Sequence, residues 1–129
     1  MIAADTSALV AILLREEDAK GYSDAITAER EVLIGAPTAF ELRLVMHRLR
    51  GEASTRGVDR MLAWPMIRIV PFEAAHLALA NEALVRFGGR PARLNFGDCM
   101  SYAVVKHHGA PLLFKGADFA QTDVRSALA

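Results

Sequence analysis

With 129 residues, 53% of them hydrophobic and 23% charged, the chain suits one folded domain over residues 1–129 and excludes a disordered one. Fifteen basic and fifteen acidic residues cancel, so charge alone does not mark a nucleic-acid binder. No apolar run reaches the roughly 20 residues of a membrane helix, and a single cysteine, Cys99, excludes an internal disulfide.

The N-terminus lacks the basic region of a secretory signal, which with the lone thiol points to the cytoplasm. Twelve of the fifteen basic residues are Arg. Arg presents a planar fork suited to phosphates and to buried ion pairs, although an Arg-rich codon usage gives the same count.

Ile2–Asp5 reads as a first strand that delivers a carboxylate at its end, followed by an apolar helix over Ser7–Leu14. Thr6 and Ser7 carry side-chain oxygens that suit its cap. Glu16-Glu17-Asp18 opens a second helix to about Ala28, with its acids in the dipole-favoured first turn. Val32–Gly35 is a second strand, and Thr38 begins a third helix that Gly51 ends near Arg50.

Ser54 caps a fourth helix to about Trp64, and Ile67–Val70 is a third strand stopped by Pro71. Glu73–Phe87 is a long Ala- and Leu-rich helix. Gly88–Arg93 is a loop with breaker chemistry, and Asn95 caps a helix over 97–108 that Gly109 ends. Pro111–Phe114 is a fourth strand, and a terminal strand near Thr122-Asp123-Val124 would make five. Short apolar strands alternating with helices predict an α/β fold, a mostly parallel four- to five-stranded sheet with helices on both faces.

Four acids go against the hydrophobic grain or sit at strand ends. Asp5 follows the first strand, where α/β sheets bind ligands. Glu41 shares a helix face with Leu44 and Val45. Asp98 opens a helix that is apolar nearly all round, and Asp118 follows the fourth strand.

Each has a bland reading alone: Asp5 and Asp98 as helix caps, Glu41 as a partner for Arg43, Arg48 or another Arg, Asp118 as a turn residue. Together they would repel unless a cation neutralised them. Oxygen ligands favour Mg2+ or Mn2+. Such an ion suits phosphodiester hydrolysis, because it activates a water and stabilises the leaving oxygen.

These stretches resemble the PIN-domain ribonucleases, in particular the VapC toxins of VapBC toxin–antitoxin pairs. The resemblance rests on Asp5-Thr6-Ser7-Ala8-Leu9, on Thr38-Ala39-Phe40-Glu41-Leu42, on Leu94–Cys99 with Ala103 behind it, and on Leu112–Phe119 with Thr122-Asp123. It covers almost the whole chain. It implies a three-layer PIN-like fold and a Mg2+-dependent centre of Asp5, Glu41 and Asp98 that cuts RNA, with Mn2+ as the other ion. Ala117 stands where related sequences carry Asn or Asp, so Asp118 is the candidate fourth acid and Asp123 the second choice.

Ser7 resembles the hydroxyl that holds a water or a carboxylate there, a role compatible with capping. The family further implies a homodimer, a VapB-type antitoxin, and a transfer or ribosomal RNA substrate. Arg86, Arg90 and Arg93 crowd the loop leading to Asp98. They suit RNA phosphates if that loop borders the acids, and otherwise form a solvated or partner-binding loop.

Two other functions compete. A haloacid-dehalogenase-like phosphatase also opens with a strand ending in Asp, but its second acid would fall at Ser7. A catalytically silent PIN-like binding module would have lost the three acids, and all three are present. Cys99 reads as buried, Met61, Trp64 and Met66 as core or contact surface, and His47 and His76 as isolated. His107-His108 suit a helix end, without a metal-ligand pattern in sequence.

Overall fold

A computed structural model describes residues 1–128. Four strands, β1 (Ile2–Ala4), β2 (Val32–Gly35), β3 (Ile67–Val70) and β4 (Leu112–Leu113), form one parallel sheet in the order β3-β2-β1-β4. Six helices cover it: α1 (Thr6–Leu13), α2 (Ala19–Thr27), α3 (Ala36–Arg50), α4 (Thr55–Leu62), α5 (Ala74–Phe87) and α6 (Phe96–His108).

The two-residue period of a strand sorts its side chains between the faces. Ile2, Ala4, Val32, Ile34 and Leu113 point into one core with Leu9 of α1, while Ala3, Leu33 and Leu112 point into the other with Tyr102 and Val104 of α6. A sheet buried on both sides has apolar residues at successive strand positions, which is why these strands read as continuous runs. The three-layer architecture follows.

β2 and β3 extend the sheet to one side of β1, and β4 lies on the other. The order therefore reverses between β1 and β4, and the crevice beyond their carboxyl ends is where such sheets hold ligands. Gly35 lets α6 approach β2, since a Cβ there would sit 2.8 Å from Val104 Cγ2. Gly51 and Gly109 end α3 and α6 at φ of 67° and 65°, a region glycine enters without strain.

Some boundaries differ from expectation. The second helix starts only at Ala19, because Glu17 and Asp18 form a turn. α3 begins earlier, at Ala36, since Pro37 is compatible with a first helical turn. Residues 51–54 form a 3₁₀ turn, and Ser54 donates to the Gly51 carbonyl instead of capping α4. In place of a fifth strand there is one parallel bridge, Leu112 to Ser126. Residues 122–124 are spent on a turn in which the Thr122 hydroxyl accepts from the Val124 amide.

Candidate active site

The first residues after β1 each reach a different element. Asp5, 4% exposed, is the N-cap of α1: its Oδ2 accepts from the Ser7 amide at 3.0 Å and from the Ser7 hydroxyl at 2.6 Å. Its Oδ1 accepts from the Ser101 hydroxyl of α6 at 2.6 Å. Cap and site residue were alternatives for Asp5 in the sequence; here the carboxylate that caps α1 also faces the other acids.

Thr6 donates its hydroxyl to Glu41 Oε1. Ser7 Oγ, besides donating to Asp5, accepts from the Lys115 amide at 2.9 Å, which ties the end of β1 to the chain leaving β4. Lys115 in turn holds Glu16 at 2.9 Å and Asp18 at 3.2 Å.

Glu41 lies in the second turn of α3, partly buried, with its carboxylate over the first turn of α6. That overlap needs Gly97, because a Cβ there would occupy the space of the Glu41 carboxylate. Pairing with Arg43 is ruled out, since Arg43 binds Asp59. Asp98 is the third residue of α6 in a reciprocal cap: its Oδ2 accepts the Asn95 amide at 3.0 Å, and its own amide donates to Asn95 Oδ1 at 2.9 Å. Asp118 precedes a 3₁₀ turn over Phe119–Gln121 and is exposed.

The electrostatics register the grouping. Burial raises Asp98 to about 6; the Asn95 amide opposes this, and the charges of Asp5, Asp118 and Glu41 add to it. Burial also raises Glu41, opposed by the Thr6 hydroxyl and assisted by the Asp5 charge. Asp5, Asp118 and Glu41 thus act on Asp98, and Asp5 on Glu41, with no cationic side chain among the causes of either shift. A donor set made of oxygen alone fits a hard divalent cation, which would reverse both shifts.

Asp123 stands apart, bound to Lys106 at 2.8 Å and Arg86 at 3.3 Å. Arg86 also bonds Glu82 at 2.9 Å, so it is already engaged, whereas Arg90 and Arg93 are exposed. Sequence reasoning missed Thr6, Thr38 and Ser101 as supports. Thr38 and Ser101 are buried hydroxyls 3.4 Å apart, and a hydroxyl on an otherwise apolar helix face was the available signal. His76 is not isolated: it meets His107 and His108.

Beside the acids lies a cavity of about 350 Å³ lined by Pro37, Phe40, Leu44, Phe96 and Met100 together with Glu41. Phe40 and Phe96 are 66% and 80% exposed, large apolar rings left open at its rim.

The sequence profile of the PIN domain matches residues 2–125. Ribonuclease VapC28 of Mycobacterium tuberculosis is 38% identical over 127 residues, covering 96% of each chain. Ribonuclease VapC42 of the same species is 39% identical over 126 residues, covering 95% of this chain and 96% of that one. Among solved structures, VapC20 of M. tuberculosis, described as a Sarcin-Ricin loop cleaving toxin, superposes with a TM-score of 0.80 at 20% identity over 96% of each chain. FitAcB of Neisseria gonorrhoeae gives a TM-score of 0.74 at 21% identity over 98% of this chain and 96% of that one. Matched nearly end to end in sequence and in fold, the chain belongs to the PIN-domain VapC ribonucleases, the toxins of type II toxin–antitoxin systems.

Proposed function

We propose that Asp5, Glu41 and Asp98 hold Mg2+, with Mn2+ as the alternative ion, and that Asp118 completes the acidic centre for RNA hydrolysis. The observation that carries this reading is the gathering of Asp5, Glu41 and Asp118 around Asp98, whose pKa burial and their charges raise to about 6. A bound divalent cation supplies charge neutralisation and Lewis acidity at the scissile phosphodiester. The chain's own residues do the positioning. Ser101 and Ser7 fix the two oxygens of Asp5, Thr6 orients Glu41, and the Asn95 amide holds one oxygen of Asp98.

Arg90 and Arg93 take the phosphates flanking the cut, while Arg86 joins them only by leaving Asp123. The substrate is a structured RNA, transfer or ribosomal; the description of VapC20 as cleaving the Sarcin-Ricin loop supports a ribosomal loop. A VapB-type antitoxin covers the apolar cavity at Phe40 and Phe96, and the protein works as a homodimer in the cytoplasm. The relatives of this fold solved as toxin–antitoxin complexes support that partner. No helix among the described residues is long and apolar enough to cross a membrane.

RNA ends sequenced after induction of the wild type and of Asp5→Asn test the mechanism. New ends are expected with the wild type alone, and equal new ends with both proteins would overturn it.

A further inference from the structure

At the end of α6 away from Asp98, three imidazoles from two helices meet. His107 and His108 close the last turn of α6, and His76 stands in the first turn of α5. From Asp98 to His108 the helix rises about 15 Å, so the cluster is separate from the acidic centre. The His76 and His107 rings are 4.2 Å apart, the His107 and His108 rings 5.0 Å, and the His76 and His108 rings 6.2 Å. One nitrogen from each ring lies within 4.8 Å of the other two.

His76 is 2% exposed, and its Nε2 has no hydrogen-bond partner. Buried polar atoms are nearly always paired, and this nitrogen, which carries the ring's proton while Nδ1 accepts, becomes a free ligand atom only once that proton moves. A capping role explains only its other nitrogen, since Nδ1 accepts the Glu73 amide at 3.0 Å. Burial, then the charges of His107 and His108, lower His76; burial, then His107 and Arg68, lower His108. Both rings are thereby kept neutral, the form that binds metal.

We propose that His76, His107 and His108 form a second cation site, for a transition metal of the Zn2+ class. Imidazole nitrogens suit Zn2+, Ni2+ and Cu2+ and not Mg2+, so the two ends of α6 select different ions. Nitrogens around a tetrahedral Zn2+ sit about 2.0–2.1 Å from the metal and hence about 3.4 Å from one another. The cluster must therefore tighten, and His107, being exposed, has the freedom to swing inward. Binding through His76 Nε2 moves that ring's proton to Nδ1 and releases the Glu73 amide, exchanging one neutral hydrogen bond for a metal–nitrogen bond. The ion then clips the start of α5 to the end of α6.

The test titrates Zn2+ calorimetrically into metal-free Asp98→Asn protein, whose acidic centre is disabled, and into the same protein also carrying His107→Ala and His108→Ala. One equivalent bound by the first, a rise in its melting temperature, and indifference to excess Mg2+ are expected, with loss of all three in the second. Co2+ in place of Zn2+ should give the intense visible bands of a tetrahedral nitrogen site. His107 is exposed and His108 half-buried, and circular dichroism checks that both proteins are folded. Absence of Zn2+ binding, binding that survives loss of both histidines, or displacement by Mg2+ would each overturn the proposal. The outcome is independent of whether the acidic centre cuts RNA.

Discussion

Ser101 donates its hydroxyl to Asp5 Oδ1 at 2.6 Å, a buried bond between residues 96 positions apart. It joins α6 to the end of β1 and fixes one oxygen of the first acid. Ser101→Ala leaves a buried acceptor unsatisfied, which costs about 1–3 kcal/mol of stability. Such supporting residues change metal affinity or activity by about 10–100-fold. Urea unfolding and Mg2+ titration of the variant check both; wild-type Mg2+ affinity would remove the positioning role.

Asp98 sets a pH dependence. Its folded value, about 6, lies above the ordinary 3.8, so between these the folded chain holds a proton that the unfolded chain has lost. The favourable contribution is fully present below 3.8 and is lost as pH rises through about 6. Metal-free protein should lose this increment between those values, Asp98→Asn should flatten that part of the profile, and Mg2+ should restore stability at neutral pH. Cleavage should rise over the same window, since metal binding needs the carboxylate. Melting curves and initial rates against pH, with and without Mg2+, make the comparison.

Gly97→Ala separates helix stability from site geometry. Alanine favours a helix by about 0.8–1.0 kcal/mol over glycine, yet its Cβ would take the space of the Glu41 carboxylate. Reduced Mg2+ affinity and RNA cleavage in a protein whose circular dichroism is unchanged is the expected outcome. Undiminished cleavage would remove Glu41's position over α6 as a requirement.

The loop arginines differ in their engagements. Arg90→Ala and Arg93→Ala should weaken RNA binding, each lowering the salt slope by about 0.7 for a single-stranded contact. Arg86→Ala should act mainly by freeing Asp123 from an exposed network, with little change in the salt slope. Filter binding on catalytically silenced Asp5→Asn protein across a salt series reads both effects. Equal slopes for all variants would remove phosphate contacts from this loop.

The inner strands were legible because both of their faces are buried, which makes runs such as Val32-Leu33-Ile34 continuously apolar; edge strand β3, with Arg68 and Ile69 exposed, is the exception. Asp5, Glu41 and Asp98 stood out in the sequence as carboxylates in apolar company, and the structure groups their charges. What Thr6, Ser101 and Lys115 do was not, because each acts on a residue far away in sequence through a bond that no periodicity encodes. The histidine cluster was hidden for the same reason: His76 looks solitary until α5 packs against α6. The expected fifth strand failed because Thr122 satisfies the Val124 amide locally, leaving only the bridge at Ser126.

Asp5, Thr6 and Ser7 are consecutive, yet their side-chain bonds reach partners 96, 35 and 108 positions away. No local segment of the chain can therefore preassemble this centre. Contacts so remote in sequence are entropically the most expensive to close, and they form only as the overall topology is completed. Under the proposed mechanism a nascent or partly folded chain therefore lacks the assembled centre. The centre is then complete only once the chain leaving β4 has docked on Ser7 at the end of β1, so the order of folding would itself delay cleavage.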